Sequence, residues 1–105
     1  MGVSFTRKVY DVVAQIPAGK VATYADVAAW AGSAGASRAV GNAMKHNANP
    51  ARAPCHRVVG SDGSMHGYAF GDGEPTKVKM LRDEGVVLAG DRVDLTQSRW
   101  QGPSS

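Results

Sequence analysis

Cys55 is the only cysteine of this chain, and it stands in the run Pro54-Cys55-His56-Arg57-Val58. A lone thiol has no partner for an intramolecular disulfide and no second thiolate for a structural zinc site. Two roles remain, an apolar filler or a nucleophile. The histidine beside it favours the nucleophile, because an ordinary thiol is mostly protonated at neutral pH and needs a base or a positive neighbour. Pro54 fixes the backbone on the N-terminal side. Adjacent residues on a strand point to opposite faces, so a direct contact between thiol and imidazole does not follow from adjacency. His46 and His66 have no partner arrangement in the sequence, and a metal site wants three or four convergent donors, so no metal is expected.

Helices come first among the elements that must position this run. Phe5, Val9, Val12, Val13 and Ile16 recur at helical spacing behind Ser4, which predicts a helix over 5–16 ended by Pro17. Thr23 and Asp26 form a capping-box pattern for a second helix that Gly32 terminates. A short turn leads to a third helix over 37–46, rich in small residues, and the pair reads as a helix-turn-helix. Asn47-Ala-Asn-Pro50 breaks it. Arg57 to Val59 reads as a short buried strand, 60–63 as a turn and 64–73 as a glycine-rich loop. Pro75 suits the first turn of a last helix running to about Glu84 and stopped by Gly85. Val86 to Leu88 and Arg92 to Leu95 read as a terminal hairpin. The expected fold is mostly α with short β-strands, a winged helix-turn-helix. Trp30, Met44 and Met80 are expected in its core.

At 105 residues there is room for one domain, placed at 1–101, with 102–105 as a disordered tail. No apolar run approaches a membrane span, and the N-terminus lacks the apolar stretch of a secretory signal. With one reduced cysteine this predicts a cytoplasmic protein. The net charge of +3 is a mild basic excess, compatible with a polyanionic partner without requiring one.

Three motifs carry a resemblance: the pentapeptide around Cys55, Val21-Ala-Thr-Tyr24, and Ser37-Arg-Ala-Val-Gly41. In this order and spacing they are similar to the O6-alkylguanine-DNA alkyltransferases, which move an alkyl group from damaged guanine onto their own cysteine. The resemblance runs from about Phe5 to Val87 and covers the family's C-terminal, DNA-binding and catalytic domain; the separate N-terminal domain of many members has no counterpart here. It implies that Cys55 is the acceptor, that His56 removes its proton through a water, and that Glu84 orients the histidine. Taken alone, Glu84 reads as a solvated helix-end acid. Asn47 matches an asparagine that bonds near the active-site turn, and equally suits a helix C-cap.

The partner so implied is double-stranded DNA containing O6-alkylguanine, bound by a monomer without a cofactor. Arg38 would fill the hole left by the flipped base, stacking as lysine would not. Ala36, Ser37, Ala39 and Gly41 are small enough for the helix to enter a minor groove, with Lys45 and Arg52 near phosphates. Tyr24 would push the 3′ phosphate and bond the extruded base. The backbone carbonyls of Cys55 and Val58 would accept from its exocyclic amine, with Met44, Tyr68 and Ala69 as further pocket residues.

Two departures from the family matter. The loop His66-Gly-Tyr-Ala-Phe-Gly71 lacks the family's serine and is longer, which predicts a mobile, roomier wall unless Tyr68 and Phe70 fold over the pocket. The end Arg99-Trp-Gln-Gly-Pro103 resembles the small alkyltransferase-like proteins, which bind alkylguanine without repairing it because another residue replaces the cysteine. The alternative function is therefore a lesion sensor that recruits another pathway, with nucleotide-excision repair as its partner. A transcription factor built on the helix-turn-helix leaves Cys55-His56 unexplained.

Overall fold

Ser4 caps the first helix, its Oγ accepting from the Arg7 N–H, and Val9, Val12 and Val13 turn one face of α1 (Phe5–Val13) to the core. Each fully buried valine contributes about 2 kcal/mol. The computed structural model describes residues 4–103; Ser104 and Ser105 of the expected disordered tail lie outside the described residues. α1 ends at Val13 rather than at 16. Gln15 and Ile16 donate to Val12 and Val13, the tighter pattern that the approach to Pro17 imposes, while Ile16 stays buried.

The capping box expected at Thr23 is present in full. Thr23 Oγ1 accepts from the Asp26 N–H at 3.0 Å and Asp26 Oδ2 from the Thr23 N–H at 3.2 Å, opening α2 (Tyr24–Trp30) directly after strand β1 (Ala22–Thr23). α3 (Ser37–Lys45) follows, one residue shorter than expected, and packs on α1 and α2 as the helix-turn-helix requires.

The region after Pro54 corrects the sequence reading. Cys55–Arg57 is a single 3-10 turn, closed by the Arg57 N–H donating to Pro54 O, and only Val58–Val59 forms strand β2. Pro54 fixes the entry, and the turn redirects His56 away from the alternation of a strand. β2 pairs parallel with β1 in the register Ala22 to Val58 and Thr23 to Val59. This pair is the seam of the molecule. Ala22 and Val58 face a core formed by α1, α2, α3 and Cys55, while Val21 and Val59 face a second one with Met65, Leu81, Val86 and Val93.

α4 (Glu74–Asp83) carries Pro75 in its first turn and Glu84 as its C-cap. The wing is the antiparallel pair β3 (Leu88–Ala89) and β4 (Arg92–Val93). A further short helix, α5 (Leu95–Ser98), was not expected, and the chain after it returns to lie against Trp30. Trp30 and Met44 join the first core; Met80, expected there, is only half-buried, its sulfur turned to the Tyr68 hydroxyl. Among the described residues no helix is long and apolar enough to cross a membrane.

Candidate active site

The thiol of Cys55 is 4% exposed and belongs to the first core. The same 3-10 turn aims His56 at the end of α4, where its Nε2 lies 2.9 Å from Glu84 Oε2. Arg57 reaches the same carboxylate from the other side, Nε donating to Oε1 at 2.9 Å and Nη2 to Oε2 at 2.7 Å, while Nη1 donates to Ile16 O at 2.8 Å. Burial alone would raise the pKa of Glu84, but the bonds from Arg57 and His56 outweigh it and hold the carboxyl below its ordinary range. An ionised carboxylate only accepts, so Nε2 of His56 carries the proton and Nδ1 is left as an acceptor. Burial lowers the pKa of His56; Glu84 opposes this, and the Arg57 and Lys77 charges add to it. The net effect is a neutral imidazole ready to take a proton. Among the described residues no hydrogen bond joins it directly to the thiol, in keeping with their divergence in the turn.

Lys77 was missed in the sequence. Sitting in the polar-looking first turn of α4, it is 1% exposed, and its Nζ donates to Val58 O at 2.6 Å. Burial pulls its pKa down to about 8, with Cys55 and Glu74 opposing. The ammonium lies 6.0 Å from the Tyr24 ring centroid, within cation–π range. The pKa values of Tyr24 and Tyr68 are both raised, first by burial and then by the Cys55 charge. Tyr24 and Tyr68 thus pack on the core that contains Cys55, and Lys77 is bonded to the carbonyl of Val58, three residues on.

Other expected residues fall as follows. Val58 O already accepts from Lys77 and Cys55 O from the Val58 N–H, which leaves each carbonyl one lone pair for a ligand amine. Asn47 is buried and braces the loop between α3 and Cys55, its Nδ2 donating to Ala53 O at 2.8 Å and its Oδ1 accepting from the Asn49 N–H. It supports the turn without touching His56 or Glu84. The loop lines a half-open cavity of about 330 Å³ beside Tyr10 and His46, whose lining does not include Cys55.

Ser37, Arg38, Ala39 and Lys45 are exposed on α3, Ala36 and Gly41 half-buried, and Met44 is buried in the core. In the glycine-rich loop Tyr68 and Phe70 pack edge to face at 5.5 Å and lean on the core that contains Cys55, while Ala69 is exposed. Both rings of this wall thus lie against the core rather than standing away from it. His66, expected without a partner, pairs with Glu74 at 3.0 Å across the base of the loop. Among the described residues no group of three or more His, Cys, Asp or Glu could hold a metal ion.

The model of the family described as "6-O-methylguanine DNA methyltransferase, DNA binding domain" matches residues 4–86. A methylated-DNA–protein-cysteine methyltransferase of Methanothermobacter thermautotrophicus is 44% identical over 82% of this chain and 47% of its own length. The alkyltransferase-like protein 1 of Schizosaccharomyces pombe is 42% identical over 80% of this chain and 78% of its own. A crystal structure of that yeast's Atl1 with damaged DNA containing O6-carboxymethylguanine superposes with a TM-score of 0.82 at 34% identity, over 96% of this chain and 99% of that one. Against the first methyltransferase relatives the chain spans about half of their length or less.

Proposed function

Because this chain belongs to the family of the 6-O-methylguanine DNA methyltransferase DNA-binding domain, we propose that it recognises O6-alkylguanine in duplex DNA and takes the alkyl group onto Cys55. One observation carries the reading: a buried lone thiol beside a neutral histidine whose far nitrogen is anchored on an ionised glutamate. That is the arrangement of an activated nucleophile with an oriented base. His56 Nδ1 takes the thiol proton through a bridging water. The sulfur attacks the alkyl carbon, the bond from carbon to O6 breaks, and the guanine leaves with the proton that the thiol gave up. Lys77 balances the thiolate before attack, and Tyr24 stabilises the departing base. The thioether is stable, so one protein serves one lesion.

Intact-mass measurement after incubation with O6-methylguanine duplex tests this. A gain of about 14 Da, one CH2, is expected on the wild type and none on Cys55→Ser. The second reading is lesion sensing without transfer. It is supported by the near full-length superposition on the alkyltransferase-like structure and by the closed wall beside Cys55. Tight lesion-selective binding with no change of mass would establish it in place of transfer.

A further inference from the structure

Residues 87–103 lie beyond the stretch that the family model matches, and their path bears on Tyr24. Asp94 caps α5 through the Thr96 N–H and sends the chain back toward β1. The Val21 N–H donates to Ser98 O at 2.9 Å and the Trp100 N–H to Val21 O at 2.7 Å, a parallel bridge that lays residues 98–100 beside the residue preceding β1. Ser98 is buried, and its Oγ accepts from the Val87 N–H.

Two side chains of this strap then grip α2 at opposite ends. Arg99 donates in two-pronged fashion to Asp26, Nε to Oδ2 at 2.9 Å and Nη2 to Oδ1 at 2.5 Å. Burial alone would raise the Asp26 pKa, but the bonds from Arg99 and Thr23 hold it below its ordinary value. At the other end Trp100 meets Trp30 edge to face at 5.0 Å. Gly102, at φ 113°, passes so close that a Cβ there would sit 3.0 Å from the Trp30 ring. Asp26 is also the capping-box acid of α2, and Tyr24 is the first residue of that helix. One carboxylate thus joins the strap to the turn that aims Tyr24.

A helix this short does not hold its own orientation; packing must supply it. Among the described residues no hydrogen bond holds the Tyr24 hydroxyl, so its ring is placed by packing on the first core, by Lys77 and by the backbone that α2 gives it. We propose that residues 98–102 form a strap that positions Tyr24, which makes Arg99 and Trp100 determinants of how well this protein separates a damaged base from an undamaged one. The inference rests on the lesion-binding reading above. A misplacement of Tyr24 by a fraction of an ångström would leave groove binding by α3 intact and weaken contact with the extruded base.

The test is a double-mutant cycle. Affinities for undamaged and O6-methylguanine duplex are measured for wild type, Arg99→Ala, Arg99→Lys, Trp100→Ala and Tyr24→Ala, and for Arg99→Ala combined with Tyr24→Ala. Arg99→Ala and Trp100→Ala should each cut lesion discrimination about tenfold while undamaged-duplex affinity stays within about twofold. Arg99→Lys, which keeps one prong, should recover part of the loss. In the Tyr24→Ala background Arg99→Ala should cost nothing more, because the strap acts through that ring. Equal losses on both duplexes, or the same loss in both backgrounds, overturn the proposal. Wild-type protein that does not discriminate at all sinks the lesion-binding reading instead. The strap is then judged by hydrogen exchange: Arg99→Ala must speed exchange at the α2 amides selectively over α3, and uniform or absent change overturns it.

Discussion

Arg38 on α3 and Arg57 in the nucleophile turn both come from motif positions, and the protein treats them in opposite ways. Arg57 spends its donors internally, on both oxygens of Glu84 and on Ile16 O. Arg38 is exposed and takes part in none of the ion pairs among the described residues. The same contrast runs through their surroundings. Around Cys55 the charges of Arg57, Lys77 and Glu84 are packed together with the neutral His56, and no buried polar side chain is left unpaired among the described residues, whereas α3 presents small side chains and cations to solvent. A site that must shift protons fixes its dipoles beforehand. A surface that must meet a phosphate backbone keeps its cations free. The loop between them is braced by Asn47, whose Nδ2 donates to Ala53 O.

The contrast is broken most severely at Lys77. Lys77→Met removes the buried cation beside the sulfur and should slow alkyl transfer roughly 100-fold in single-turnover assays. Stability should move much less. Burying the ammonium costs about 3 kcal/mol, judged from a pKa of about 8 against the ordinary 10.5, and this offsets the loss of its bond to Val58 O. The folded pKa lies below the unfolded one, so the cost is fully present below about 8 and is relieved as pH rises toward 10.5. The stability of wild type relative to Lys77→Met should therefore increase between pH 7 and 10 in denaturant titrations.

Arg57→Met comes next. Freed from Arg57, Glu84 draws His56 toward the imidazolium, and one of the two cations repelling that form is gone. The acid limb of the transfer rate, expected in the wild type below the ordinary histidine value of 6.5, should move to higher pH. At neutral pH the rate should fall about tenfold. A lower rate with an unmoved limb would mean that Arg57 serves packing alone. The variant should also lose about 2 kcal/mol, a value reduced because the pair is partly exposed. Glu84 has a depressed folded pKa, so this contribution is present at neutral pH and fades as pH falls through the carboxylate range.

Arg38→Ala tests the exposed side. Lesion processing should drop about tenfold while affinity for undamaged duplex changes about twofold, since phosphate contacts supply most non-specific affinity. Equal losses on both DNAs would remove the distinction between a base-replacing arginine and an ordinary surface cation.

How much of this was legible in the sequence follows the same division. The caps at Ser4 and Thr23, the helix-turn-helix and the wing are local devices written within a few residues, and they appear where the pattern places them. Cys55, His56 and Glu84 were legible through the motif. Lys77 was not, because a lysine in a polar first turn looks solvated and only the fold of the 58–77 segment over it shows the contrary. The strap was missed for the same reason: Arg99 and Asp26 lie far apart in sequence, and nothing local pairs them. The strand expected from Arg57 begins only at Val58, because Pro54 and the bond from the Arg57 N–H back to its carbonyl hold Arg57 in the 3-10 turn.

The smallest expected effect lies where the two regions meet, at the wall formed by Tyr68 and Phe70. Their rings pack against each other and against the core that holds Cys55, and a Cβ on Gly67 would sit 3.8 Å from the Tyr24 hydroxyl, an ordinary contact, so the loop lies against the same side of the core as Tyr24. Tyr68 is further tethered by its hydroxyl to Met80 Sδ at 3.5 Å, a weak bond that orients the ring without locking it. A methyl group fits beneath such a wall with little movement, while a benzyl group must displace the Tyr68 ring and forfeit its edge-to-face contact, worth about 1 kcal/mol. Wild-type protein should thus transfer methyl faster than benzyl, by about fivefold on this contact alone. Tyr68→Ala should bring the two rates together, chiefly by speeding benzyl transfer. If the variant slows methyl and benzyl alike, the tyrosine contributes to the chemistry at O6 rather than to the shape of the pocket, and the wall belongs with the buried charge cluster instead of the exposed DNA-facing surface.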